Sequence, residues 1–160
     1  MNGEHLITFY PIQLKRNQAA YVCEQDSSHL LVIENIAIQA FINKKIKDIP
    51  LNFSDTESRI FQGWWTAAEN KPNNKKWFWS TGNNSLKTVV QSSYKNWIGF
   101  SPIPYNSLNC MYLYPFNNLT YNFPSKNHKN NTFYNSFGGW LNKPCNFRNY
   151  FICMKSKLFF

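Results

Sequence analysis

Apolar residues return at helical spacing twice within the first fifty positions and then give way to short aromatic runs, so helices are expected early and strands late. Between residues 14 and 24, Ala19, Val22 and Cys23 fall at i, i+3 and i+4, laying one small apolar stripe along a short helix with Cys23 on its inward face. After the polar break Asp26-Ser27-Ser28, the run Leu30-Leu31-Val32-Ile33 reads as a short strand. A second helix follows, with Asn35 as its N-cap. Ile36 with Ala40, and Ile33 with Ala37 and Phe41, recur three and four apart and mark the side expected to be buried. Lys44, Lys45 and Lys47 close this helix, where cations complement the negative end of the helix dipole.

Beyond Pro50 the pattern changes. Residues 61–68, 77–80 and 110–114 are aromatic-rich runs separated by turn chemistry, as short strands are. Helices gathered at one end and strands at the other predict an α+β domain rather than βαβ repeats. Residues 87–109 and 115–139 show neither period and read as long loops, which in a compact domain usually carry function. A length of 160 residues suits one domain. All six Trp lie from Trp64 onward, which predicts an aromatic core built from that part of the chain.

Charge narrows the chemistry. From Asn70 to Phe160 there is no Asp or Glu, while eleven Lys and Arg are spread among the aromatic residues. Hard cations such as Ca²⁺ ask for several oxygen ligands, mostly carboxylates, and acid-base catalysis asks for a tuned carboxylate. Neither can be built locally over more than half of the chain. The net charge of +9 favours acidic partners such as sulfated or sialylated glycans, anionic lipid or nucleic acid. His5, His29 and His128 are too scattered in sequence to suggest a shared metal site, and no nucleophile has a base and an orienting acid nearby. No Gly-rich phosphate cradle, G-x-S-x-G elbow or H-E-x-x-H pair occurs, so no enzymatic activity and no cofactor are expected.

Cys23, Cys110, Cys145 and Cys153 are even in number and lack C-x-x-C spacing, which favours two disulfides over zinc. Disulfides persist in oxidising compartments. Acceptor sequons at Asn52, Asn83, Asn118 and Asn130 agree with an extracellular, secreted glycoprotein, although residues 1–10 show no secretory-signal pattern. In that setting no nucleic-acid partner is expected. No apolar run reaches the roughly 20 residues of a membrane span.

The ending Trp140-Leu141-Asn142-Lys143-Pro144-Cys145, followed by Tyr150-Phe151-Ile152-Cys153, resembles the close of a C-type lectin-like domain. Earlier pieces fall in the family's order: Ala19-x-x-x-Cys23, His29-Leu30, Phe41-Ile42, Trp65, Trp77-x-Trp79-Ser80-Thr81-Gly82, Asn96-Trp97 and Cys110. Trp65-Thr66-Ala67-Ala68 with the Trp-x-Trp-Ser-Thr-Gly run is most similar to invertebrate, especially arthropod, members. The resemblance spans a core of about residues 9–153 of a single domain, 1–160. It implies a C-type lectin-like fold with two early helices, short antiparallel strands and a long loop region. It also implies disulfides Cys23–Cys153 and Cys110–Cys145, with Trp77 and Trp79 as core packing.

The chain departs from the family at its calcium site. The usual Glu-Pro-Asn or Gln-Pro-Asp triplet reads Ser101-Pro102-Ile103, the Glu-Asp pair before the cysteine reads Leu108-Asn109, and Trp-Asn-Asp reads Trp140-Leu141-Asn142. The carboxylate usual in the second helix falls near Ile38. The spacing from Cys110 to Trp140 is longer than usual, so residues around 114–135 look like an insertion, rich in rings, amides and cations. The resemblance therefore implies a non-catalytic recognition module for glycans or glycoproteins, calcium-independent, in innate immunity or host interaction. The alternative is a lectin-like domain that binds a protein, such as a receptor ligand, venom component or immune modulator. The contact residues expected are Trp97, Tyr105, Asn106, Asn109 and Asn142, with Lys95, Lys126 and Lys129 available to anionic groups.

Overall fold

The computed structural model describes residues 4–50, 62–71, 76–82, 87–88, 94–99, 101–116, 118–121, 131–134 and 137–157, with the backbone alone for 87–88, 118–121 and 131–134. The chain enters as strand β1 (His5–Lys15), which pairs antiparallel with the last strand, β10 (Arg148–Ser156), from His5 opposite Ser156 to Lys15 opposite Arg148. The sequence pattern gave no reason to assign β1, because Pro11 interrupts it. The pairing register shifts between Tyr10 and Leu14, where the ring of Pro11 supplies no backbone N–H, and a strand bonded on this side accommodates that defect.

Helix α1 (Arg16–Gln25) follows at once, two residues later than the apolar stripe suggested, because Leu14 and Lys15 are held in the sheet. Gln18 Oε1 accepts a hydrogen bond from the Lys15 backbone N–H at 3.1 Å, which closes the helix start. Ala19 and Cys23 are buried as expected. A turn through Ser27, at φ +52°, returns the chain to β2 (His29–Leu30), which pairs with β10. Only Leu30 of the expected run 30–33 lies in the strand, yet all four are buried.

Helix α2 (Ile36–Lys47) begins where Asn35 Oδ1 accepts from the Ile38 N–H at 2.9 Å, and it ends on Lys44, Lys45 and Lys47. Its inward face corrects the sequence expectation. Gln39, Ile42 and Ile46 are buried, while Ile36 is 71 % and Phe41 44 % exposed, with Ala37 and Ala40 also outward. The reason is polar: Gln39 donates from Nε2 to the Gly138 carbonyl at 2.8 Å and accepts from Trp140 Nε1 at 2.8 Å. A buried indole N–H and a buried carbonyl need partners, and Gln39 supplies both.

The main sheet runs β1–β10–β3–β4–β5, with β3 (Trp64–Asn70), β4 (Phe78–Trp79) and β5 (Lys87–Thr88). β10 and β3 are parallel. β6 (Asn109–Leu113) adds to β3, and β9 (Trp140–Pro144) adds to β6, both antiparallel. Gly63 precedes β3 because a Cβ there would collide with the carbonyl of Leu113. A separate hairpin, β7 (Asn118–Tyr121) with β8 (Asn131–Tyr134), lies inside the stretch 115–139 that read as loop. Its Asn- and Tyr-rich strands carry too little apolar alternation to be legible.

Trp64, Trp65, Trp79, Trp140, Phe151, Leu31, Ile33 and Ile42 are fully buried. Each large apolar side chain removed from water contributes about 1.5–3 kcal/mol. Trp77 and Trp79 are core, as the resemblance implied. Both disulfides form with the implied pairing: Cys23–Cys153 ties α1 to β10 with Cα atoms 5.5 Å apart, and Cys110–Cys145 ties β6 to the turn after β9 at 5.1 Å. Among the described residues no helix is long and apolar enough to cross a membrane.

Candidate functional site

The loop that leads into β6 is built on Trp140. The Trp140 N–H donates to the Asn96 carbonyl at 2.8 Å and the Ile98 N–H donates to the Trp140 carbonyl at 3.0 Å, which lays residues 96–98 alongside β9. The Trp97 ring then stands edge-on to Trp140, 5.6 Å between centroids, and 5.0 Å from Trp77. Trp97 is therefore half-buried, one wall of an aromatic cluster that also takes in Trp79 and Tyr94 against Trp140. The chain turns at Gly99 (φ +55°) and passes through a cis Ser101–Pro102 bond to Ile103.

Asn142 meets the loop there. Its Oδ1 accepts from the Ile103 N–H at 2.7 Å and its Nδ2 donates to the Ile103 carbonyl at 2.7 Å. Both functions of this buried amide are thereby committed to one backbone unit. Asn109, also buried, donates from Nδ2 to the Tyr105 carbonyl at 3.4 Å, while its Oδ1 has no partner among the described residues. Two amides thus hold the 101–108 loop from beneath, at Ile103 and at Tyr105. Above them Tyr105 is half-buried and Asn106 exposed, and burial pushes the Tyr105 phenol pKa up. Lys95 is exposed near the start of the same segment.

The residues at the family's calcium positions do not fit a calcium ion. Asn142 has its carbonyl oxygen on a backbone N–H, Asn109 offers one neutral oxygen, and Ile38 and Ile103 carry hydrocarbon side chains. A divalent ion needs six to eight oxygens and charge to offset its desolvation. Among the described residues no cluster of three or more His, Cys, Asp or Glu is arranged to hold a metal.

The structure brings Trp97, Tyr105, Asn109 and Asn142 together around one loop, with Asn109 and Asn142 below the surface rather than on it. Lys126 and Lys129, and the sequons at Asn52, Asn83 and Asn130, lie outside the described residues, and Asn118 opens β7. Sequence reasoning missed two residues that matter to this region. Gln39 is one. Lys143 is the other, fully buried, with Nζ 2.9 Å from Asn149 Oδ1 and within 5.2 Å of the Trp65 ring centroid and 4.9 Å of that of Tyr112. Its signal was period-2 alternation on β9, which puts Lys143 on the face of Leu141.

The family model of the lectin C-type domain matches residues 12–155. No curated protein sequence matches the chain closely enough to count as a relative. Among solved structures, the carbohydrate-recognition domain of the mouse scavenger receptor C-type lectin aligns over 98% of this chain and 91% of its own, at 20% identity and a TM-score of 0.62. Human lithostathine aligns over 96% of this chain and 84% of its own, at 21% identity and a TM-score of 0.65. Ovocleidin-17, a major protein of the Gallus gallus eggshell calcified layer, covers 94% and 91%, at 16% identity and a TM-score of 0.60. These likenesses establish the fold. With the family match over nearly its whole length and the two disulfides in place, the chain belongs to the C-type lectin domain family.

Proposed function

We propose that this chain is a secreted, non-catalytic recognition domain that binds carbohydrate or glycoconjugate without calcium, in immunity or host interaction. It is read as a single domain, core residues 9–153, with an insertion around 114–135. The observation that carries this reading is the double hydrogen bond from Asn142 to Ile103: where the family places a carboxylate for calcium, a neutral amide fastens the loop to the strand. The ion's structural task, fixing the loop, is met by the protein itself. Ligand contact falls to the loop's outer surface, with Tyr105 and Asn106 as contact residues and Trp97, Asn109 and Asn142 positioning them. Lys95, Lys126 and Lys129 favour anionic groups, consistent with the absence of acid from Asn70 onward.

A glycan and glycosaminoglycan array, run with excess calcium and with chelator at low and high salt, tests the reading. Chelator-resistant binding, weakened by salt and by Lys126→Ala with Lys129→Ala, supports it. Binding abolished by chelator contradicts it. Silence throughout transfers the assignment to a protein ligand, for which capture must survive enzymatic deglycosylation of the partner.

A further inference from the structure

A second concavity shares none of the residues Trp97, Tyr105, Asn106, Asn109 or Asn142. It has a volume of ≈ 620 Å³ and is lined chiefly by Lys15, Arg16, Leu108, Pro144, Cys145 and Phe147, a size within the roughly 300–1,000 Å³ of small-molecule sites. Its three walls are stitched to one another by the backbone. The Arg16 N–H donates to the Cys145 carbonyl at 3.3 Å, the Cys145 N–H donates to the Leu108 carbonyl at 3.1 Å, and Cys145 is crosslinked to Cys110. The cavity is therefore part of the folded framework and not a gap between independent loops.

Its chemistry is one-sided. Leu108 and Phe147, each 38 % exposed, present two large apolar side chains to the same space. Among the described residues no carboxylate lines it. Lys15 is exposed at the rim. Arg16 lines the wall with its guanidinium turned inward, Nη1 3.4 Å from Glu69 and Nη2 3.1 Å from the Ala67 carbonyl, and its buried Nε–H has no partner among the described residues. The buried ammonium of Lys143 lies 5.4 Å from the Phe147 ring centroid, adding positive charge on the protein side of the cavity. Apolar walls with positive charge concentrate the field and select a ligand that is both anionic and apolar.

We propose that this cavity binds a small amphipathic anion, an alkyl or aryl carboxylate or sulfate. The apolar part rests on Leu108, Pro144 and Phe147, and the anionic head takes Lys15 Nζ at the rim. Decanoate, titrated into the isotope-labelled full chain with both disulfides intact, is the probe, with decanol and decyltrimethylammonium as controls. The expected result is saturable one-to-one binding whose amide shifts cluster at residues 15–17, 107–108 and 144–147. Lys15→Glu and Leu108→Ser each weaken it about tenfold or more, equivalent to about 1.4 kcal/mol, with unchanged spectra elsewhere. Neither control saturates. Shifts scattered over the chain, equal affinity for the cationic control, or undiminished binding in both variants overturns the proposal. The cavity borders the same 101–108 loop at Ser107 and Leu108, but the array is read through Lys126 and Lys129 and the titration through Lys15, so either reading can fail without the other.

Discussion

The side-chain amide of Asn142 closes on the backbone of Ile103 from both sides, its oxygen on the N–H and its nitrogen on the carbonyl, each at 2.7 Å. Asn142→Leu removes both bonds and leaves the two backbone groups without their partner. Asn142→Asp keeps an acceptor but sets a carboxylate against the Ile103 carbonyl oxygen. Each is expected to cost about 1–3 kcal/mol, seen as a fall of several degrees in Tm and as faster hydrogen exchange at the Ile103 N–H. An unchanged exchange rate in both variants would remove Asn142 as the anchor of the loop.

Gln39 and Ile36 test the orientation of α2. Gln39→Leu deprives the Trp140 indole N–H and the Gly138 carbonyl of their partner, a loss of about 1–3 kcal/mol. Ile36→Ser, on the exposed side, is expected to stay within about 0.5 kcal/mol. Urea midpoints at constant slope measure both. The reverse ranking would restore the inward face that apolar spacing alone suggests.

The disulfides differ in the chain length they close. Cys23 and Cys153 are 130 residues apart in sequence, Cys110 and Cys145 only 35. On the chain-entropy account they contribute about 5 and about 4 kcal/mol. Paired Cys→Ser variants should therefore both be strongly destabilised in thermal melts, the Cys23/Cys153 variant the more so. A variant lacking either bridge that melts with the parent contradicts this.

Alkaline stability follows from two phenols. Burial raises the pKa of Tyr94 and Tyr105 above the ordinary value of 10.0, so the folded chain keeps these protons at a pH where the unfolded chain has released them. Below that range they leave stability unaltered. As pH rises through it, proton release favours the unfolded state and stability declines until the folded phenols ionise as well. Phenolate absorbance and melts across this range measure the effect, and Tyr94→Phe with Tyr105→Phe should flatten the decline. An equal decline in the double variant would assign it elsewhere.

What the sequence revealed and what it hid have physical reasons. Cysteines, tryptophans and the Trp140 to Cys153 ending are covalent or bulky features whose order survives on the page, and they carried the fold class, both disulfides and the burial of Trp77 and Trp79. β1 was hidden by Pro11, whose defect is absorbed by a register shift against β10. The face of α2 was misread because apolar periodicity has no way to weigh Gln39, buried for the hydrogen bonds it makes with partners about a hundred residues away. Asn109 and Asn142 were recognised as belonging to the loop region, but their depth was not legible, since an amide that recognises a ligand and an amide that fastens a backbone are the same letter.

A calcium titration of the purified chain, followed by heat and by Tm, tests most directly whether Asn142 stands in for the ion. The account predicts no saturable heat and no rise in Tm at millimolar calcium, with chelator leaving the melt unchanged. Saturable binding with a rise in Tm that Asn142→Leu abolishes would contradict it and place a calcium ion at the loop.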